Sequence, residues 1–141
     1  MSSSSLDLQD LILQTLKGTP AIMDLVNGVW DKPPATYLNE PKEAAITFAG
    51  FDTAEDGADC VSGVETTAQL DVWSRKVGFP NCQQITDLVR KALHNQELIL
   101  PGSGNALVQM WVTLTKVERD PDGITSHGVI FVTASIEEDV D

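Results

Sequence analysis

The sequence predicts an α+β fold, a mainly antiparallel sheet of about four strands with two main helices packed on one face. Three observations carry that expectation. Two segments repeat apolar residues at the helical period, two pairs of segments alternate apolar with polar residues, and their order along the chain is helix, hairpin, helix, hairpin. Each hairpin then has one apolar side to cover and each helix one stripe to bury, which helices on a single face of a sheet satisfy together. No sequence repeat underlies the doubled order.

The first helix runs from Leu6 to Leu16, with apolar residues at positions 8, 11, 12 and 16 and with Ser5 or Ser4 as its cap. Lys17-Gly18 closes it. Thr19-Pro20 opens a short second helix through Val26, with Thr19 as N-cap and Pro20 at the first helical position, and Asn27-Gly28 stops it. From Asp31 to Pro41, three prolines and few apolar residues read as an extended connector. The first strand is expected from Ala45 to Phe51, with Ile46 and Phe48 alternating, and the second from Thr66 to Val77, with Leu70 and Val72 opposed to Asp71 and Trp73. Between them, 52–65 reads as a long acidic hairpin loop carrying Asp52, Glu55, Asp56, Asp59 and Glu65 and no basic residue. A loop of that length in a small domain is either functional or a solvated hairpin tip.

The clearest helix follows from Asn81 to His94, with Ile85, Leu88, Val89, Ala92 and Leu93 on one stripe and Asn81 and Gln84 at capping-box spacing. Arg90, Lys91 and His94 suit the negative end of its dipole. The last two strands, Leu107 to Glu118 and Gly128 to Glu137, form a hairpin around the turn Asp120-Pro121-Asp122-Gly123. In the former, Val108, Met110, Val112 and Leu114 face one way and Gln109, Trp111, Thr113 and Thr115 the other; in the latter, Ile130, Val132, Ala134 and Ile136 form the apolar face.

Composition bounds the function. A chain of 141 residues with 42% hydrophobic content is expected to form one domain, 1–141, with 1–5 and 138–141 as flexible ends. A domain of this size buries about 70% of the surface its unfolded form exposes, so it needs no disulfide or metal staple. Nine Lys plus Arg against 21 Asp plus Glu give a net charge of −12. Such a surface repels nucleic acid and anionic lipid, which argues against a DNA-binding role. Cys60 and Cys82 lack the spacing of a zinc site and read as ordinary thiols of a reducing cytoplasm. No stretch approaches the roughly 20 apolar residues of a membrane helix. The segment Met1 to Asp7 lacks the basic start and apolar centre of a signal peptide, so the expectation is a protein that stays in the cell that makes it.

The search for chemistry is short. His94 and His127 have no partner motif and read as structural residues. Asp120, Asp122 and His127 lie close in sequence, but the Asp-Pro-Asp-Gly turn explains them better than a metal loop does. Nucleophile-elbow, zinc-protease and phosphate-loop motifs are absent. No catalytic residue, cofactor or metal is therefore expected. Trp73 and Trp111 stand on the strand faces opposite the apolar residues, either as cross-strand neighbours within one molecule or as anchors of an interface.

Four segments taken together carry a resemblance. They are the apolar N-terminal helix with its Pro-rich connector, Leu70-Asp71-Val72-Trp73-Ser74-Arg75, the helix with Leu88-Val89-Arg90-Lys91-Ala92-Leu93, and Asp120-Pro121-Asp122-Gly123-Ile124-Thr125-Ser126-His127-Gly128-Val129. The set resembles the small tail-completion, or tail-terminator-like, proteins of long-tailed bacteriophages, prophages and gene transfer agents, over about Leu6 to Glu137. It departs where Pro41-Lys42-Glu43-Ala44-Ala45 intervenes before the first strand.

The resemblance implies a non-enzymatic virion part of lambda-type terminator fold. Such a part forms a hexameric ring on the head-proximal end of the tail tube, stops tube growth and presents a surface to head-completion proteins. Its partners would be itself, the tail-tube protein and the head-completion or neck protein, with DNA passing through without specific binding and no membrane involved. Its places would be the host cytoplasm during assembly and then the virion tail. Under this reading Trp73, Trp111 and Arg75 are candidate interface residues, and Asp52, Glu55, Asp56, Asp59 and Glu65 are candidates to face the channel. The alternatives are a neck or head-tail adaptor of the same virion and, from another class, a small-molecule-binding α+β domain.

Overall fold

A computed structural model describes residues 3–56, 62–101 and 104–139. Helix α1 spans Ser4–Lys17 and α2 Pro20–Met23; the strands β1 Val29–Trp30, β2 Ala44–Glu55 and β3 Gly63–Ser74 precede α3, Pro80–Leu93, and β4 Ala106–Arg119 and β5 Ser126–Glu137 complete the chain. The sheet is mixed and five-stranded, in the order β1-β2-β3-β5-β4. The expected four strands thus gain a fifth, β1, which lies parallel to β2 through Val29↔Ile46 and Trp30↔Thr47, while every other pairing is antiparallel. Two residues are too few to show a period of two. The second hairpin also inserts with β5, its later strand, beside β3, and leaves β4 at the edge.

Helices α1 and α3 pack side by side on one face of the sheet, α1 against β1, β2 and β3 and α3 against β3, β5 and β4. The core between them holds Leu8, Ile12 and Leu16 of α1, Ile85, Val89 and Leu93 of α3, and Ile46, Leu70, Val72, Ile130, Val132 and Ile136 of the sheet. These are the apolar positions that the two periodicities select. Ser3 caps α1 by accepting from the Leu6 amide at 3.4 Å, one residue before the expected serines. For α3, Phe79 is the N-cap and Pro80 the first helical residue, so Asn81 is not a cap and instead donates to Ser74 Oγ at 2.8 Å. Helix α2 is a single turn with Thr19 at the N-cap and Pro20 first in the helix, as expected, although the Thr19 hydroxyl donates back to the Thr15 carbonyl at 2.8 Å and makes no capping bond.

The segment 52–65 is not one long loop. β2 continues to Glu55 and β3 starts at Gly63, paired from Glu55↔Val64 to Asp52↔Thr67, and the Asp56 amide donates to the Gly63 carbonyl at 2.9 Å. Asp52, Glu55 and Glu65 are strand residues; polar side chains on both faces erase the alternation that would have revealed them.

The expected flexible ends are also partly tied down. Ser4 is buried in α1 and its hydroxyl donates to Glu138 Oε2 at 2.5 Å, while Asn105 donates to Asp7 and accepts from the Asp139 amide, both at 2.9 Å.

Bulges adjust the strand faces. One between Phe48 and Gly50 brings Phe48 and Phe51 to the helix side, with ring centroids 5.8 Å apart. Two more, between Leu107 and Gln109 and between Val112 and Leu114, break the alternation expected of β4. Met110 and Val112 keep the core face, whereas Val108 and Leu114 are turned out to solvent. Cys82 is buried in α3, 3.8 Å from the Val72 carbonyl, and burial pushes its thiol up to about 11, so it is a poor nucleophile. Cys60 lies outside the described residues, as does Asp59.

Candidate assembly surfaces

With both main helices on one face, the other face of the sheet has no helix packed on it among the described residues. Strand alternation sends Ala45, Thr47 and Asp52 of β2, Glu65, Thr67, Gln69, Asp71 and Trp73 of β3, His127, Val129, Phe131 and Thr133 of β5, and Trp111, Leu114 and Lys116 of β4 to this outer side. Trp73 and Trp111 therefore share a face, as their alternation predicts. They are not neighbours. β5 runs between them, and Trp73 is opposite His127 whereas Trp111 is opposite Thr133.

Trp73 is built into a compact network. Its indole stacks on the His127 ring with centroids 4.0 Å apart and planes 10° from parallel, and its Nε1 donates to Thr47 Oγ1 at 3.1 Å. On its other side His127 Nε2 meets Asp71 Oδ1 at 2.9 Å, and Gln69 Nε2 donates to the same oxygen at 3.3 Å. Thr47 and Asp71 are themselves buried. Sequence reasoning missed Thr47, Gln69 and Asp71 as a group, and took His127 for an isolated structural residue. Only the β2-β3-β5 register joins them.

Arg75 lies just past the end of β3, where its amide donates to the Glu43 carbonyl at 2.9 Å. Its side chain is exposed at the end of the sheet that also carries Lys76 and Arg119. The opposite end is acidic. Asp52, Glu55, Asp56 and Glu65 are exposed there, and no Lys or Arg occurs between Lys42 and Arg75. Alternation divides these acids, Asp52 and Glu65 going to the outer face and Glu55 to the helix side.

The turn between β4 and β5 is closed by Asp122, whose carboxylate accepts from the amides of Ile124 and Thr125 at 2.8 Å and from the Thr125 hydroxyl at 2.7 Å. These bonds hold the Asp122 carboxyl below its ordinary range. The carboxylate is thereby engaged within its own turn, and Gly123 takes a φ of 74°. Among the described residues no three His, Cys, Asp or Glu side chains cluster closely enough to hold a metal ion.

Comparison with known proteins gives this arrangement a context. Residues 10–137 match the family described as tail completion protein gp17. A search of curated proteins returns no match. Among solved structures, a chain described as part of the virion of a native gene transfer agent particle superposes with a TM-score of 0.82 at 21% identity, covering 96% of this chain and 99% of that one. That likeness establishes a shared fold, and the family match covers all five strands, entering α1 at Asp10 and reaching the last residue of β5, Glu137. The chain belongs to the tail completion protein gp17 family.

Proposed function

We propose that the chain is a non-enzymatic structural component of a phage-type tail that caps the head-proximal end of the tail tube, ends tube polymerisation and forms part of the head-tail joint as a hexameric ring. The observation that carries this reading is the match to the tail completion family over 10–137. A similar fold in a chain of a gene transfer agent virion supports it. The partners on this reading are further copies of the chain, the tail-tube protein and the head-completion or neck protein, first in the host cytoplasm and then in the virion.

The charge distribution suits a ring that DNA traverses without adhering. Asp52, Glu55, Asp56 and Glu65, with Asp59 in the segment between, form an acidic hairpin end, and we place it at the channel, where repulsion keeps phosphates mobile. Replacing these five acids with Lys is expected to leave tail assembly intact and to slow DNA ejection several-fold. Unchanged ejection by such particles would remove the channel assignment. The bare sheet face, with Trp73 and Trp111, and the exposed Arg75 are proposed contacts to neighbouring subunits or partners.

Deleting the gene and imaging the resulting tails tests the main reading. Tubes of uncontrolled length are expected. Tails of normal length that fail to join heads would instead make the chain a neck adaptor.

A further inference from the structure

We propose that subunits join edge to edge, residues 114–118 of β4 in one copy pairing antiparallel with residues 50–54 of β2 in the next, so that the sheet continues from copy to copy. This rests on the ring reading above, because a ring needs a head-to-tail contact in which two different patches of the same chain meet.

Both stretches are open sheet edges. β1 pairs with β2 at Ile46 and Thr47, and no strand among the described residues pairs with the rest of that side of β2. At the other margin, β4 is fastened by the segment after α3: the Asn95 amide donates to the Met110 carbonyl and the Val112 amide to His94 Nδ1, both at 3.0 Å. Beyond Val112 no strand among the described residues covers that side of β4. An open edge of this kind is a template for another strand.

The two edges match in backbone direction and in face. The Asp56 amide donates to the Gly63 carbonyl at 2.9 Å, so the even-numbered residues of the outer half of β2 turn their backbone groups to β3, and Phe51 and Thr53 turn theirs outward. The Asp120 amide likewise donates to the Thr125 carbonyl at 2.8 Å, which leaves Thr115 and Val117 turned outward. Phe51 and Val117 pack against the core, and by alternation Thr53 and Thr115 share that helix side. A hydrogen-bonded pair carries both side chains on one face, so joined copies keep their helices on the same side of the sheet. Strand direction agrees as well. Three successive antiparallel pairings make β4 run opposite to β2, so copies placed side by side form an antiparallel junction.

Side chains select one register. With Thr115 opposite Thr53 and Val117 opposite Phe51, Leu114 meets Ala54, Lys116 meets Asp52 and Glu118 meets Gly50. Leu114, 53% exposed in the single chain, thereby gains an apolar neighbour. Lys116 already holds Glu118 at 3.3 Å along its own strand and comes to stand between that carboxylate and Asp52, with no two like charges directly opposed. Slipping by two residues sets either Glu118 or Leu114 against Asp52, and slipping by one breaks the hydrogen-bond pairing. An exposed ion pair adds little affinity, so Lys116 and Asp52 choose the register while the ladder and the apolar pairs hold the junction; loss of the hairpin acids leaves assembly standing.

The resulting stagger suits closure. Within one chain Val117 is level with Ile46, through Gly128 and Val72, whereas the junction sets it beside Phe51 of the next copy. That offset is roughly 15 Å along the strands for roughly 19 Å across four of them. A level ring then has strands tilted by about 40°, within the range of closed barrels. A second copy of this chain therefore fits the open β2 edge in direction, face, register and stagger.

The test is a cysteine pair, Leu114→Cys with Ala54→Cys, in a Cys60→Ser chain whose other thiol, Cys82, is buried. Leu114 and Ala54 form a close, non-hydrogen-bonded pair in the proposed register, with the Cα separation a disulfide needs. Introduced into the deletion strain and oxidised on isolated tail ends, the pair is expected to give a ladder of linked copies up to the full ring. Leu114→Cys with Thr53→Cys, whose side chains point to opposite faces, is expected to give none. Thr53→Pro and Thr115→Pro each remove an outward amide that the single chain leaves free, a place where an edge strand tolerates proline. Each is expected to keep cooperative unfolding and to reduce occupancy of tail ends at least about tenfold. Absence of links in a ring of the parent's copy number overturns the junction, as do links that stop at two copies, equal linking by the Thr53 pair, or normal occupancy by a folded proline variant. Should a proline variant fail to fold, the cysteine pair decides alone. A parent chain found singly on tail ends defeats the ring reading itself.

Discussion

Gly128→Val is expected to lower the melting temperature by about 10 °C or more, the largest stability loss of any single substitution considered for this chain. The cause is the seat of α3. A Cβ added at Gly128 would overlap Thr86 Oγ1 and stand 3.2 Å from Val72 Cβ and 3.3 Å from Cys82 Sγ. Thr86 and Cys82 are buried on the sheet-facing side of α3, and Val72 is buried on β3, the strand paired to β5 at this point. None of these neighbours is the free end of a flexible chain. Valine would therefore push the helix from the sheet, and overpacking of this kind costs about 1–3 kcal/mol for small intrusions and more for branched ones. Against a domain stability of about 5–15 kcal/mol that is a large fraction.

A second measurement isolates the mechanism. Gly128→Ala should be partly rescued by Thr86→Ala, because the worst overlap is with the threonine hydroxyl, and a double-mutant cycle followed by thermal or urea unfolding would show a favourable coupling. Additive losses would place the strain elsewhere. The glycine is thus a packing residue, although its position in the Ser126-His127-Gly128-Val129 run looks in sequence like part of a motif.

How much of this was legible follows from the kind of signal each feature leaves. The stripes Leu8, Leu11, Ile12, Leu16 and Ile85, Val89, Leu93 are written at a spacing that only a helix uses, and both helices bury those residues. The alternation around Leu70 and Val72, and around Ile130 and Val132, likewise places β3 and β5. What failed to show was whatever depends on a partner. β1 is a strand only because Val29 and Trp30 lie beside Ile46 and Thr47. The outer half of the β2-β3 hairpin is held by pairing rather than by an apolar face. Bulges at the starts and middles of strands shift alternation without a residue type that announces them, which is why Leu114 was expected inside and is found outside. The Trp73 cluster is the extreme case. Its outward direction was readable from one strand, but Thr47, Asp71 and His127 come from three strands, β2, β3 and β5, and β5 lies beside β3 only because the sheet order passes over β4.

That cluster separates the two tryptophans in the second large expected effect. Trp73→Ala should cost about 2–3 kcal/mol of folding stability, short of the 3–5 kcal/mol of a fully buried aromatic because the indole is only half-buried. It removes the stack on His127 and leaves Thr47 Oγ1 without its indole donor. It also removes the ring packed against His127, whose Nε2 meets the buried Asp71 carboxylate. Trp73→Phe keeps a ring over His127 and loses the Nε1 hydrogen bond, so a loss nearer 1 kcal/mol is expected. Trp111, whose cross-strand partner is Thr133, has no comparable network of ring and hydrogen bonds among the described residues. Trp111→Ala should accordingly disturb folding less than Trp73→Ala does, while reducing tail incorporation if the outer face is a contact surface. Unfolding curves on the purified variants, read beside their occupancy on tail ends, check both halves. A stability loss for Trp111→Ala as large as that for Trp73→Ala would place its indole in the fold's own packing and take it off the proposed interface. Normal occupancy of a stable Trp111→Ala protein would take the indole off that interface directly.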